Sequence, residues 1–280
     1  MSKLAMKIKH LIYRTGLGFV RQCWRIFGRR VTVFDLLIKL SPDTIFPSYW
    51  NLRLPAGGVR SKIVRYGDFV QMHSMVAYVE QLQRPAVIID VGAHHGAYAI
   101  VLGKILEKNN IQGKIIAVEP NPVSFDVLEK NVKLNGLENT IYCERVAVSD
   151  RAGEMNISLL DVQSGISNKA TPETVPVNVV TLDMLMNKYG IDFVDVLQID
   201  VEGAELPVLR GFPWEKATTA MIFCEMHPYA WADFNYSGND FSELLVKRKL
   251  RCFDMYFREY NEFNGLAYIG PTLLIGGKYN

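Results

Sequence analysis

The apolar positions of this chain fall into short unbroken runs and longer periodic stretches, and their order predicts an alternation of strands and helices. Val87 to Ile89 is β-branched throughout, as in a strand buried on both faces of a parallel sheet. Gly92 and Gly96 follow, and from Ala97 to Leu106 the chain is apolar almost all the way round, which predicts a buried helix. Ile115 to Val118 is a second buried strand, closed by Glu119. Strand, glycine turn, helix and a second strand ending in an acid make the mononucleotide half of a doubly wound α/β fold.

The pattern continues beyond this unit. Asn121-Pro122 is a helix start, with a stripe of Phe125, Leu128 and Val132 and a stop at Gly136. Thr140 to Val148 reads as a third strand, and Met155 to Leu160 and Val175 to Val180 as added ones. Val162 to Pro176, rich in Ser, Gly, Asn, Thr and Pro, reads as a long functional or disordered loop. Thr181 caps a helix through Tyr189, and Val194 leads a buried strand into Asp200. Gly203 then turns the chain and Pro207 lies in a short helix. Ala220 to Glu225 is a strand, 241–250 a helix, and 253–260 and 268–275 two closing strands. The expected fold is a doubly wound, seven-stranded, mostly parallel sheet with a closing antiparallel hairpin.

Upstream, Leu4, Ile8, Leu11, Ile12, Val20, Trp24 and Phe27 recur at roughly helical intervals, with Gly16 and Gly18 splitting the segment into two short helices. Pro42, Pro47, Pro55, Gly57 and Gly58 mark a linker or loop-rich cap, and Val70 to Leu82 is a helix leading into the first strand. Residues 1–60 are thus expected as a basic helical segment and cap, and 61–280 as the α/β domain.

Composition narrows the function classes. The chain of 280 residues is 49% apolar and 21% charged, ordinary for a globular protein. The first 34 residues hold eight Lys/Arg and no acid, leaving 23 basic against 29 acidic residues in the remainder. A mildly acidic body argues against a nucleic-acid groove. The basic segment has two readings: a helical lid packed on the domain, or a surface that meets anionic lipid. Cys23, Cys143, Cys224 and Cys252 show no paired or zinc-like spacing, which suits reducing cytoplasm, and the sequence assigns no metal ligand. No apolar run approaches about 18 residues, so no membrane span is expected.

The glycine turn reads Asp90-x-Gly92-x-x-x-Gly96, unlike the three-glycine dinucleotide turn. A leading carboxylate repels pyrophosphate and suits an ammonium group, and Glu119 can accept from two ribose hydroxyls. Ammonium, ribose and no phosphate describe S-adenosylmethionine, and here the stretch resembles the class I methyltransferases. Leu197-Gln-Ile-Asp200-Val-Glu202-Gly203-Ala-Glu205-Leu-Pro-Val-Leu-Arg-Gly211 resembles the signature of the FkbM family of S-adenosylmethionine-dependent methyltransferases. Val118-Glu119-Pro120, Val146-Ala147-Val148 and Thr181-Leu-Asp183 agree in order and spacing, and the resemblance covers about residues 64–277. The chain departs from it at His94-His95, where the family commonly has Asn and an apolar residue.

The resemblance implies a class I fold and O-methylation of sugars, glycolipids, polysaccharides or secondary metabolites. By it, Asp90, Gly92, Ala93, His94 and Gly96 line the amino-acid end of the cofactor, Glu119 holds the ribose, and Pro120, Asn121 and Ala147 border the adenine. Tyr98 is either a ligand contact or helix packing. Asp200 lies near the methionine moiety or caps the following helix, and Glu202 and Glu205 are either functional or favoured by the helix dipole. Glu225 and His227 alternate at one strand end, so His227 is either the base, with Glu225 orienting its ring, or a hydrogen-bonded structural histidine. The aromatic stretch after Pro228 either stacks on a sugar or packs on its own domain. Two competing functions are an NAD-dependent oxidoreductase and a methyltransferase-like binding module without catalysis.

Overall fold

A computed structural model describes residues 29–41, 43–44, 70–158, 166–167, 174–266 and 268–276. In chain order these form β1 (Arg29–Val33), β2 (Leu36–Leu40), α1 (residues 70–79), β3 (Ala86–Val91), α2 (Ala97–Lys108), β4 (Gly113–Val118), α3 (Pro122–Leu134), β5 (Ile141–Glu144), β6 (Ala147–Val148), β7 (Gly153–Ser158), β8 (Ile166–Ser167) and β9 (Thr174–Val180). There follow α4 (Leu182–Tyr189), β10 (Phe193–Ile199), α5 (Glu205–Arg210), β11 (Thr218–Met226), a 3-10 helix (Pro228–Phe234), α6 (Gly238–Arg248), β12 (Leu250–Asp254), β13 (Glu259–Tyr260) and β14 (Gly270–Gly276).

The central sheet has the order β13-β12-β14-β11-β10-β3-β4-β5. The five strands from β11 to β5 are parallel, and β14, β12 and β13 each run antiparallel to the neighbour before them. This is the expected doubly wound sheet. Ile88 faces one buried cluster with Ile100, Ile115 and Val196, and Ile89 faces the other with Ile116, Leu197 and Ile199. Burial on both faces is why these strands are continuously apolar. Chain order reverses at β3, which pairs with β4 on one side and β10 on the other. The crevice at the carboxyl ends of such strands is where open α/β sheets bind ligands.

The structure revises several boundaries. The third strand stops at Glu144, and Ala147–Val148 instead joins a separate sheet of order β6-β9-β7-β8. The closing strand expected over 253–260 is β12, ending at Asp254. Asp254 Oδ1 accepts from the backbone N–H groups of Tyr256 and Arg258, and Phe257 takes a left-handed φ of 61°. That turn folds β13 back onto β12, giving eight strands rather than seven. The long-loop expectation over 162–176 falls largely outside the described residues, which within it form β8 and the start of β9.

The helices expected over 3–30 also lie outside the described residues, except that Arg29 and Arg30 open a strand. β1 and β2 form an antiparallel hairpin turning through Phe34 and Asp35, both at positive φ. Ile38 and Leu40 are fully buried in the same cluster as Ile100 and Leu128. Asn131 Oδ1 accepts from the Ser41 N–H at 2.7 Å, and its Nδ2 donates to the His95 carbonyl at 2.9 Å. One turn on, Asn135 accepts from the Lys39 N–H at 2.9 Å and donates to the Lys39 carbonyl at 2.7 Å. The β1–β2 hairpin and Ser41 therefore pack against the domain that was expected to begin at 61. No helix among the described residues is long and apolar enough to cross a membrane.

Candidate active site

The carboxyl ends of β3, β4 and β10 enclose a cleft of about 240 Å³, with Val91, Gly92, His94, Val118, Glu119 and Pro120 on one side. Val146, Ala147 and Val148 form an apolar wall, and Asp200, Val201, Glu202 and Ala204 close the far end. Gly92 turns the chain at φ 85°, and a Cβ there would stand 1.7 Å from the Asp200 carbonyl oxygen. Only glycine lets β3 leave the sheet so close to the end of β10. His94, at φ 49°, donates its backbone N–H to Glu119 Oε2 at 2.8 Å, and Asn121 donates its own to Oε1 at 2.8 Å.

Glu119 is thus held by both oxygens, each with a further lone pair for a ligand. Burial pushes its pKa up to about 7, against the two N–H donors that favour the anion. Asp90 is 2% exposed and does not line the cleft. Burial first, then repulsion from Glu119, also carries Asp90 to about 7, and its Oδ2 has no hydrogen-bond partner among the described residues. The His94 and His95 rings stack at 3.7 Å between centroids, and burial lowers both pKa values, His95 to about 3. Both are therefore neutral beside the cleft at neutral pH.

A second group of side chains stands where β10 and β11 end. Glu205, fully buried, accepts at Oε1 from the Gly203 N–H at 2.8 Å and at Oε2 from Trp231 Nε1 at 2.7 Å and the Tyr236 hydroxyl at 3.0 Å. Its Oε1 also meets His227 Nδ1 at 2.9 Å. The opposite ring nitrogen, Nε2, faces Glu202 Oε2 at 3.5 Å, Glu225 Oε1 at 3.8 Å and Asp200 Oδ1 at 4.0 Å. Desolvation opposes the imidazolium, but Glu205, Glu202 and Glu225 outweigh it and the His227 pKa is raised. Tyr229 donates its hydroxyl to Glu202 at 2.7 Å, and Tyr268 donates to Glu225.

Of the residues expected at the cofactor, Gly92, His94, Glu119, Pro120 and Ala147 line the cleft, and Asp200 and Glu202 join it to the His227 cluster. Asp90, Ala93, Gly96, Tyr98 and Asn121 lie outside its wall. Asn121 caps α3 by accepting from Val123, Gly96 stands at the N-cap of α2, and Tyr98 packs on the core. Asp200 does not cap the next helix, whose N-cap is Ala204. The ring of His227 is oriented by Glu205 and not, as expected, by Glu225. The aromatic stretch after Pro228 is mostly packing: Trp231 stacks on Phe241 at 5.3 Å, and only Tyr229 reaches the site. Glu205, Trp231 and Tyr236 as an orienting set are the residues that sequence reasoning missed. The one signal was the acid Glu205 inside the Asp200 segment, for which a functional role and the helix dipole both stood open.

The family model of the methyltransferase FkbM domain matches residues 90–255. The chain is 27% identical over 171 residues to the methyltransferase sdnD of Sordaria araneosa, covering 48% of this chain and 64% of that protein. It is 24% identical over 173 residues to the hexuronic acid methyltransferase AglP of Haloferax volcanii, covering 61% and 66%. It thus spans just under two thirds of the length of these relatives. TrmK of M. capricolum, solved with S-adenosyl-homocysteine, superposes with a TM-score of 0.38 at 16% identity over 74% of this chain and 69% of that one. At that score the fold assignment rests on the strand order itself.

Proposed function

The chain belongs to the family of FkbM-domain methyltransferases, and from that premise we propose that it is an S-adenosylmethionine-dependent O-methyltransferase. Its acceptor is a hydroxyl of a sugar, glycolipid, polysaccharide or secondary metabolite; the hexuronic acid in the name of AglP supports trying sugars first. The observation that carries the reading is one cleft with two ends. A carboxylate held for a diol stands at one end, and a carboxylate–imidazole cluster at the other.

S-adenosylmethionine, when bound, supplies a methyl group activated on a positively charged sulfur. Glu119 accepts from the ribose hydroxyls, Val146 to Val148 border the adenine, and Gly92 lets the backbone approach. Asp200 and Glu202 favour a cation where they close the cleft. The same carboxylates would oppose a pyrophosphate, which speaks against an NAD-linked oxidoreductase. The chain's main contribution is alignment of acceptor oxygen, methyl carbon and sulfur, since orientation supplies about 7–11 kcal/mol. A positioned proton acceptor adds about 10²- to 10⁴-fold, and the acceptor's proton leaves toward the cluster of His227, Asp200, Glu202 and Glu225.

Incubation with methyl-labelled S-adenosylmethionine and a panel of hydroxylated acceptors, read by mass spectrometry, tests this. The expected result is label on an acceptor oxygen. Cofactor binding without transfer to any extract or panel member would instead make the protein a binding module.

A further inference from the structure

We propose that Asp200, Glu202 and His227 bind a divalent cation at the acceptor end of the cleft. One donor atom from each lies within 4.8 Å of the others, with His227 Nε2 at 3.5 Å from Glu202 and 4.0 Å from Asp200. A cation with bonds of about 2.1 Å separates adjacent donors by roughly 3 Å and opposite ones by roughly 4.2 Å. With the carboxylates opposite each other, closing the set shortens the His227–Glu202 separation by about half an ångström and the His227–Asp200 separation by about 1 Å.

The state of the histidine is an independent observation. Its side chain is 4% exposed, yet Nε2 makes no hydrogen bond among the described residues and is aimed into the carboxylates. Nδ1 is fixed by Glu205, which is itself saturated by Gly203, Trp231 and Tyr236. Glu205 Oε1 already accepts from a backbone N–H, so Nδ1 carries the proton in this pair and the Nε2 lone pair faces the site. Metal-ligating histidines are held in this way, their other ring nitrogen donating to a carboxylate.

Two carboxylates and one imidazole suit a cation of the Mn²⁺ type and leave coordination positions open. Glu225, 3.8 Å from Nε2, stands where it can accept from a water on the cation. An acceptor hydroxyl bound there would lose its proton more readily, as metal-bound water does. Nε2 is then a ligand, and activation of the hydroxyl passes from the imidazole to the cation. This role rests on the proposed methyl transfer; the cation site does not.

The test is Mn²⁺ binding to the full, chelator-treated chain without cofactor, followed by the electron paramagnetic resonance of free Mn²⁺. We expect a single site in the wild type, weakened about tenfold or more by Asp200→Asn or Glu202→Gln and about 10- to 100-fold by Glu205→Gln. Glu119→Ala should bind Mn²⁺ as the wild type does. Circular dichroism melts establish folding of each variant, and if Glu205→Gln does not fold the two amide variants decide. No Mn²⁺ binding by the wild type, or unchanged binding in both amide variants, overturns the site. A separate titration of metal-free protein with S-adenosylmethionine tells the two readings apart. Mn²⁺ without cofactor binding overturns the cofactor reading alone, and cofactor without Mn²⁺ overturns the cation site alone.

Discussion

Glu119 ties the cleft to acidity, because its charge is both what a ribose needs and what burial opposes. Glu119→Ala removes two charge-assisted hydrogen bonds, about 3–5 kcal/mol, so S-adenosylmethionine affinity should fall about 10²- to 10³-fold or more in isothermal titration. Unchanged affinity would remove the ribose assignment. Burial raises Glu119 from 4.5 to about 7 and Asp90 from 3.8 to about 7. Between those limits the native state holds protons that the unfolded chain has lost, so these groups' contribution to stability falls as pH rises through that window. Cofactor affinity, which needs the Glu119 anion, should rise over the same window. Denaturant titrations and calorimetry from pH 5 to 8 should therefore move in opposite directions, and parallel trends would refute the assignment. Gly92→Ala brings a Cβ to 1.7 Å from a backbone oxygen and should cost more than about 4 kcal/mol in denaturant unfolding. Gly92, Glu119 and Asp200 were legible in the sequence because each stands where an apolar run stops. Glu205 was not, because its work is to hold a ring 22 residues away, and no local pattern records such a pairing.

The amino-terminal hairpin depends on α3 in the same non-local way. Asn131 has no exposed surface, and both its polar atoms bond to segments brought together only by the fold. Asn131→Leu removes the hydrogen bonds to the Ser41 N–H and the His95 carbonyl, at about 0.5–1.5 kcal/mol each. The denaturation midpoint should drop accordingly, whereas a drop within error would make the clamp dispensable. The alternation of β2, with Leu36, Ile38 and Leu40 buried, is visible in the sequence once looked for. It was obscured by a turn without glycine and by the basic segment beside it. The end of β12 misled for the opposite reason. Phe253 to Phe257 has the aromatic composition of a strand, and only the Asp254 hydrogen bonds to the following backbone show that it turns. The parallel strands needed no such help, since burial on both faces writes itself into continuous apolar runs.

On the scale of the whole molecule, the hairpin decides where the lipid-binding reading can be tested. A cut at 34 would remove β1, so the informative deletion is residues 1–28, with six Lys/Arg. If that segment meets anionic lipid, each basic residue adds roughly 1 kcal/mol near the surface, weakening with salt. Co-sedimentation with anionic vesicles should then drop sharply in the deletion, and equal pelleting of both proteins would leave the lid. The same hairpin has a consequence for biosynthesis. Ser41 precedes its partner Asn131 by 90 residues, and at about 5–20 residues per second the ribosome needs roughly 5–20 s to deliver the second after the first. Throughout that interval β2 lacks α3, one of the two helices it packs against. A nascent chain arrested before Asn131 should present this hairpin to proteases and chaperones, and one arrested well beyond it should not.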